Sequence, residues 1–160
     1  MNHSGIDLPA NPNKVAALLQ DTVDIINGID GIKGHAVVLM DEEDVKKLAA
    51  ITAPPAIGVI HGGLAPFGDQ RRGGGHGLLT TMSVEVFVVA DVSLLCETPT
   101  PNADFKMLDV LWKLREALKF RKGICQNWRF RNESPREIEG LFGYLQTWQT
   151  EVPLFIDTTT

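Results

Sequence analysis

The longest alternating pattern of apolar and polar residues in this chain runs over residues 78–93. Side chains of a strand alternate between its two faces, so this pattern gives one face a continuous apolar row. The other face is polar at first and apolar at its far end. A long strand with one unbroken apolar face is predicted to be a central strand of a sheet covered on that face. The row consists of Met82, Val84, Val86, Val88 and Ala90.

Apolar residues at helical spacing predict a first helix between Asn11-Pro12 and Gly28. Asn11 has the character of an N-cap, with proline at the first helical position, and glycine is a common residue just past a helix end. A later helix is predicted to begin at Pro101 or Asn102 and to end at Gly123. Its repeat is the strongest amphipathic signal in the chain. The predicted apolar side consists of Phe105, Leu108, Leu111, Trp112, Leu114 and Leu118.

A helix with a narrower apolar stripe is predicted between these two. Asp41 is its predicted N-cap, and Glu42, Glu43 and Asp44 fill its first turn, where carboxylates favour the positive end of the helix dipole. Four further strands are predicted at residues 35–40, 56–61, 124–132 and 141–156. Residues 133–140 are predicted to be a polar turn region, and Pro153 predicts that the last strand ends at an edge or outside the sheet.

This order of elements predicts one α+β domain over residues 1–160. The expected architecture is a two-layer sandwich, with amphipathic helices packed on an antiparallel or mixed sheet. Residues 1–10 are predicted to be an extended arm. Residues 62–77 are rich in glycine and are predicted to be the long, flexible loop of a hairpin.

Composition excludes several classes of protein. A chain of 160 residues fits one domain, and its net charge of -5 lacks the basic footprint of a nucleic-acid-binding protein. No apolar run approaches the roughly 20 residues of a membrane-spanning helix, and the N-terminus lacks the pattern of an export signal. Cys96 and Cys125 are interpreted as free thiols of a reducing cytosol, and no zinc-type spacing surrounds either.

The glycine-rich segment does not have the context of a phosphate-binding loop. GxxxxGK[ST] is absent, and a strand rather than a helix follows the segment. A loop that orders on a partner is the favoured interpretation, and Arg71 and Arg72 at its tip are candidates to meet carboxylates of a neighbour. The alternative that remains open is a solvated loop without a role.

No residues form a convincing catalytic, metal or cofactor site. His61, His76 and Glu85 match no metal motif and are interpreted as ordinary loop and surface residues. We therefore predict that the protein is not an enzyme and binds no cofactor. Arg129 and Arg131, on one face of a predicted strand with Trp128 and Phe130 on the other, are candidates for a charge-complementary subunit contact. The alternative is an ordinary solvated face of the sheet.

The whole arrangement resembles the tail terminator (tail completion) proteins of long-tailed bacteriophages, of the Mu-like and lambda-like kinds. The resemblance rests on an N-terminal amphipathic helix, a second helix with an acidic cap, and a strand introduced by proline. It continues with a long loop, a strand SVEVFVVAD, a helix ADFKMLDVLWKLREAL and a last strand GYLQTWQTEVPLFI.

The resemblance implies a hexameric ring that caps the finished tail tube and presents a surface for joining the head. The implied partners are other copies of the chain, the tail tube protein and head–tail connector proteins. The implied location is the virion tail, after assembly in the host cytoplasm. A ring needs two complementary faces on each subunit, and Asp41, Glu42 and Glu43 on one side could meet basic residues on the other. The alternatives are a head–tail connector or neck protein, or a small ligand-binding or enzymatic module with the glycine-rich loop as a lid.

Overall fold

Two helices and five strands make up the part of the chain that the computed structural model describes, which is residues 13–32, 36–41, 44, 57–66, 78–89, 106–119, 121 and 127–154. In chain order they are α1 (Lys14–Asn27), β1 (Ala36–Leu39), β2 (Ile57–Pro66), β3 (Leu78–Val89), α2 (Lys106–Leu118), β4 (Arg129–Ile138) and β5 (Leu141–Leu154). The predicted α+β class is confirmed for this part of the chain.

The five strands form one mixed sheet in the order β1-β2-β3-β5-β4. β1 pairs with β2 in parallel, and the other neighbours are antiparallel. β3 is the middle strand, as its unbroken apolar face predicted. The sheet therefore has β1 at one edge and β4 at the other, with three strands between them.

Both described helices pack on the same face of the sheet. The apolar row of β3 is fully buried there, apart from Ala90, which lies outside the described residues. α1 contributes residues such as Leu18 and Ile26 to this core, and α2 contributes Leu111 and Leu114. Each large aliphatic side chain buried in this way stabilises the fold by about 1.5–3 kcal/mol.

The opposite face of the sheet is buried as well. A second apolar cluster there consists of Leu39, Ile60, Phe87, Ile138 and Leu145. Phe87 lies among these residues because odd-numbered positions of β3 face away from the helices. The sequence predicted an apolar end for this face of β3, and that end belongs to a second core.

β2 is longer than predicted. The strand continues past His61 to Pro66, so residues 62–66 of the predicted flexible loop belong to β2, and residues 64–66 are paired with β3. The pairing slips between His61 and Leu64, and Gly63 within this irregularity has φ +100°, a conformation that favours glycine. A glycine run that suggests a loop can therefore also supply a strand with a bulge. Residues 67–77 lie outside the described residues.

β4 and β5 form a tight hairpin where a longer turn region was predicted. Ile138 pairs with Leu141, and the two residues between them, Glu139 and Gly140, have φ of +50° and +81°. Positive φ at both central positions is the requirement of a type I′ turn. The prediction of a turn over residues 133–140 is wrong because β4 is an edge strand, where exposed charged residues and Pro135 are tolerated.

Other elements begin or end a few residues away from their predicted positions. Asn13, not Asn11, caps α1, and its Oδ1 accepts a hydrogen bond of 3.1 Å from the backbone N–H of Ala16. Described pairing of β5 with β4 extends only to Gln149, and Pro153 is paired with Leu79 of β3. Pro153 therefore lies within the sheet.

Candidate functional site at the edges of the sheet

Seven large apolar side chains remain exposed in the described part of the chain, four of them on α2, β4 and β5 and three on or beside β1 and β2. We define the α2–β4 surface as Leu108, Trp112, Phe130 and Phe142, and the β1–β2 surface as Val38, Met40 and Leu64. Exposed single apolar residues are common on proteins, but aromatic side chains and methionine are enriched at interaction surfaces. These two groups are therefore the candidate functional sites.

α2 exposes two of the residues that its pattern predicted to be buried. Leu108 is 51% exposed and Trp112 is 60% exposed, whereas Leu111, Leu114 and Leu118 are buried as predicted. Successive helical residues turn by about 100°, so Trp112 lies about 100° beyond Leu111, outside the buried stripe. The helical spacing alone indicated this angular position, but both residues were assigned to the buried side because they are apolar.

An arginine holds the exposed indole of Trp112 in place. The guanidinium carbon of Arg115 lies 5.4 Å from the centre of the Trp112 ring, a cation–π contact. The same guanidinium donates to Glu133 of β4 through a salt bridge of 2.9 Å. A tryptophan fixed by its neighbours loses less conformational entropy on binding a partner than a mobile one would.

Glu133 is anchored in turn by a buried polar network beneath α2. The amide nitrogen of Gln146 donates to Glu133 at 2.9 Å and to the backbone carbonyl of Leu111 at 3.1 Å. The indole N–H of Trp148 donates to the Gln146 amide oxygen at 3.2 Å. Gln146 is fully buried, so these bonds set the position of α2 against β4 and β5.

The sheet side of the α2–β4 surface is aromatic. Phe130 packs edge-to-face on Trp148, with 5.3 Å between ring centres. Phe142 is 55% exposed near the β4–β5 turn and is paired with Glu137 of β4. Both phenylalanines are at positions that alternate onto the helix-bearing face, the face on which α2 lies.

The β1–β2 surface lies at the other edge, next to an acidic residue. Met40 is 61% exposed and directly precedes Asp41, which is also exposed. Asp41 Oδ1 accepts from the backbone N–H of Asp44, and Asp44 Oδ2 accepts from that of Met40. These bonds fit the predicted N-cap role of Asp41, although the helix itself lies outside the described residues.

The two predicted contact arginines of β4 have different surroundings. Arg129 donates to Glu151 at 2.7 Å, and this glutamate is only 1% exposed. Arg129 therefore compensates a buried charge within the fold, in addition to any contact with a partner. Arg131 lies at the irregularity between Phe130 and Asn132 and is exposed. This bulge also breaks the strict alternation that placed Arg129 and Arg131 on one face.

A third arginine links α1 to the start of β4. Arg121 lies 4.2 Å from the centre of the Trp128 ring and donates to Thr22 and, at 3.4 Å, to Asp21. Burial lowers the pKa of the Arg121 guanidinium to about 10, while Asp21 raises it. Burial raises the pKa of the Asp21 carboxyl, Arg121 lowers it, and Asp24 raises it. Arg121 stays charged at neutral pH and serves the core.

No grouping of chemistry-bearing residues in the described ranges suggests a metal site. His61 pairs with Val84 and so faces the helices, whereas Glu85 faces the other side of the sheet. These two residues cannot share an ion, which supports their interpretation as ordinary residues. The remaining predicted contact residues, together with His76 and both cysteines, lie outside the described residues: Glu42, Glu43, Arg71, Arg72, Cys96 and Cys125.

Comparison with known proteins gave no relative: no protein-family model and no curated protein matches this chain. Neither described helix is long and apolar enough to cross a membrane.

Proposed function

We propose that the protein is a phage tail terminator: a subunit of a hexameric ring that caps the tail tube, ends its polymerisation and presents a surface for head joining. In this proposal the chain is a structural component of the virion, assembled in the host cytoplasm. Its partners are other copies of itself, the tail tube protein and head–tail connector proteins. The complete fold in this proposal is a two-layer sandwich with a long loop between β2 and β3.

The observation that supports this function is the presence of two different apolar surfaces at opposite edges of one sheet. A subunit of a closed ring contacts one neighbour through one surface and the next neighbour through another. The α2–β4 surface and the β1–β2 surface have the different composition and opposite location that this arrangement needs. The exposure of Trp112 and Met40 supports such contacts, because aromatic residues and methionine are enriched at protein interfaces.

The polar network beneath α2 supports the same role. A ring that ends a growing tube must present its contacts in one fixed geometry, because each subunit has to fit two neighbours at once. Arg115 and Glu133 connect the exposed Trp112 to the buried Gln146, so the anchor of the α2–β4 surface is tied to the core without being part of it.

Electron microscopy of the purified protein with isolated tail tubes tests the proposal. We expect rings of uniform size at one end of each tube, and tails of irregular, excessive length in phage assembled without the protein. Rings that bind portal or adaptor complexes but never tube ends would favour the neck-protein alternative. Absence of rings, with and without tubes, would contradict both.

A further inference from the structure

The two surfaces at the sheet edges are complementary in charge as well as in apolar character. Exposed Asp41 adjoins Met40 at the β1 edge, and exposed Arg131 adjoins Phe130 at the β4 edge. Arg131 has no described ion-pair partner within the chain, in contrast to Arg129. Each surface thus combines an apolar centre with a charge that the other surface can neutralise.

We propose that the α2–β4 surface of one copy packs against the β1–β2 surface of a second copy, head to tail, with Arg131 of the first copy facing Asp41 of the second. The occupant of each surface is therefore another copy of this chain. The inference rests on the proposed function, because it names the surfaces through which the proposed ring closes.

The distance between the surfaces favours a head-to-tail contact. β1 and β4 are separated by three strands, and neighbouring strands lie about 4.8 Å apart, so the edges are roughly 19 Å apart. One neighbour docked on the first edge leaves the second edge open for the next. Repetition of such a contact generates a ring if the rotation closes.

The sheet edges themselves favour contact through side chains over strand addition. β4 carries a bulge next to Arg131 and a proline at position 135, and both interrupt the continuous backbone pairing that an added strand needs. β1 has only four residues. The apolar side chains are thus the main part of each surface that a neighbour can bury.

Charge exchange between the two edges tests the inference. Native mass spectrometry and light scattering of the full chain measure assembly of the wild type, Asp41→Arg and Arg131→Asp, alone and mixed in equal amounts. We expect each single variant to need an about tenfold higher concentration to assemble, as expected for a misplaced interface charge. The mixture should recover wild-type assembly, because Arg at position 41 then meets Asp at position 131.

Two further variants keep the test valid if Asp41→Arg loses its N-cap and folds poorly. Asp41→Asn retains the capping oxygen and removes only the charge, and it should weaken assembly in the same direction. Trp112→Ala removes the central anchor and should weaken assembly about 30-fold, the size of a single hot-spot residue. Asp24→Arg on the exposed side of α1 is the matched control and should leave assembly unchanged.

A wild type that stays monomeric at every concentration, or one that assembles equally well with all these substitutions, would overturn the inference. Rings that cap tubes but ignore the charge exchange would overturn this inference and leave the proposed function intact. Assembly that follows the charge exchange without any binding to tubes would support this inference and contradict the proposed function.

Discussion

The two described helices have nearly the same length and pack on the same face of one sheet, yet they use their apolar residues differently. In α1 every apolar side chain is at least partly buried, and the exposed positions are polar: Gln20, Asp24 and Asn27. In α2 the buried stripe is narrower, and Leu108 and Trp112 lie outside it. α1 is thus a helix of the core, whereas α2 serves the core on one side and exposes large apolar side chains on the other.

The helices also differ in what fixes their positions. α1 packs mainly through aliphatic contacts, supplemented by Arg121 and by Asn27, whose side-chain amide exchanges two hydrogen bonds with the backbone of Ala36 in β1. α2 is tied to the sheet by two directional hydrogen bonds, one that Gln146 donates to the Leu111 carbonyl and one that Arg115 donates to Glu133. Apolar packing holds a helix against a sheet but tolerates small shifts, while a satisfied polar network specifies one position. A helix that presents an interaction surface gains more from the second kind of support.

The largest difference in stability is expected between substitutions of two tryptophans that adjoin these helices. Trp128→Ala removes a buried ring from the core beside Arg121 and should lower the free energy of unfolding by about 3–5 kcal/mol. Trp112→Ala, the matched variant on α2, should lower it by less than about 1 kcal/mol. Chemical denaturation followed by circular dichroism measures both. Equal losses would show that Trp112 belongs to the core and would end the contrast.

Substitution of one leucine in each helix compares the contributions of the two helices to stability. Leu18→Ala in α1 deletes a fully buried side chain and should lower the free energy of unfolding by about 2–5 kcal/mol. Leu108→Ala in α2 should change it by no more than about 0.5 kcal/mol. Urea denaturation midpoints with unchanged slopes measure the difference. A large loss from Leu108→Ala would mean that this part of α2 supports the fold.

The polar network should give an intermediate effect. Gln146→Leu leaves the Trp148 N–H, the Leu111 carbonyl and Glu133 with lost partners, so we expect a loss of about 1–3 kcal/mol in the free energy of unfolding. Self-association should weaken too, because Trp112 loses part of its support.

Gln149→Leu is the control for that substitution. Gln149 is a half-buried glutamine of the same strand that donates to Ser83 on the opposite face. We expect a smaller loss of stability and unchanged association. If Gln149→Leu weakened association as much as Gln146→Leu does, the network would have no special role in positioning α2.

The smallest expected change in the free energy of unfolding is the pH-dependent contribution of Asp21 on α1. Burial raises the pKa of its carboxyl above the ordinary value of 3.8, so the folded state binds the proton more tightly than the unfolded state. The stabilisation from this group is fully present below 3.8 and is lost as the pH rises through the folded-state pKa. Wild type should therefore gain stability relative to Asp21→Asn on acidification from neutral pH towards 3.8. Parallel stability curves for the two proteins would contradict the raised pKa.

Local patterns predicted the elements whose two sides have clearly different surroundings. The alternation of β3 identified a central strand and its helix-facing row, because both properties follow from which side chains share a face. β4 was partly missed for the opposite reason. As an edge strand with exposed charges at Arg136 and Glu137, it lacks the apolar alternation that distinguishes a strand from a turn.

The candidate contact residues were predicted only in part. Asp41 was chosen for its helix-capping pattern and lies exposed beside Met40, and Arg131 was chosen for its charge and is exposed on β4. The apolar pattern of α2 left a core or an interface position open for Trp112, and only the structure shows that this residue is exposed. The ion pair of Arg129 could not be predicted, since nothing in the neighbouring sequence points to Glu151, 22 residues away.

The sequence by itself determined the α+β class, the order of the described elements and the central place of β3, because these depend on the periodicity of short segments. Only the tertiary structure decided which apolar residues stay exposed, which arginine compensates a buried charge, and that the two apolar surfaces lie at opposite sheet edges. Periodicity reports which side chains share a face of one element. What covers that face depends on strand order and register, which bring together residues that are distant in the chain.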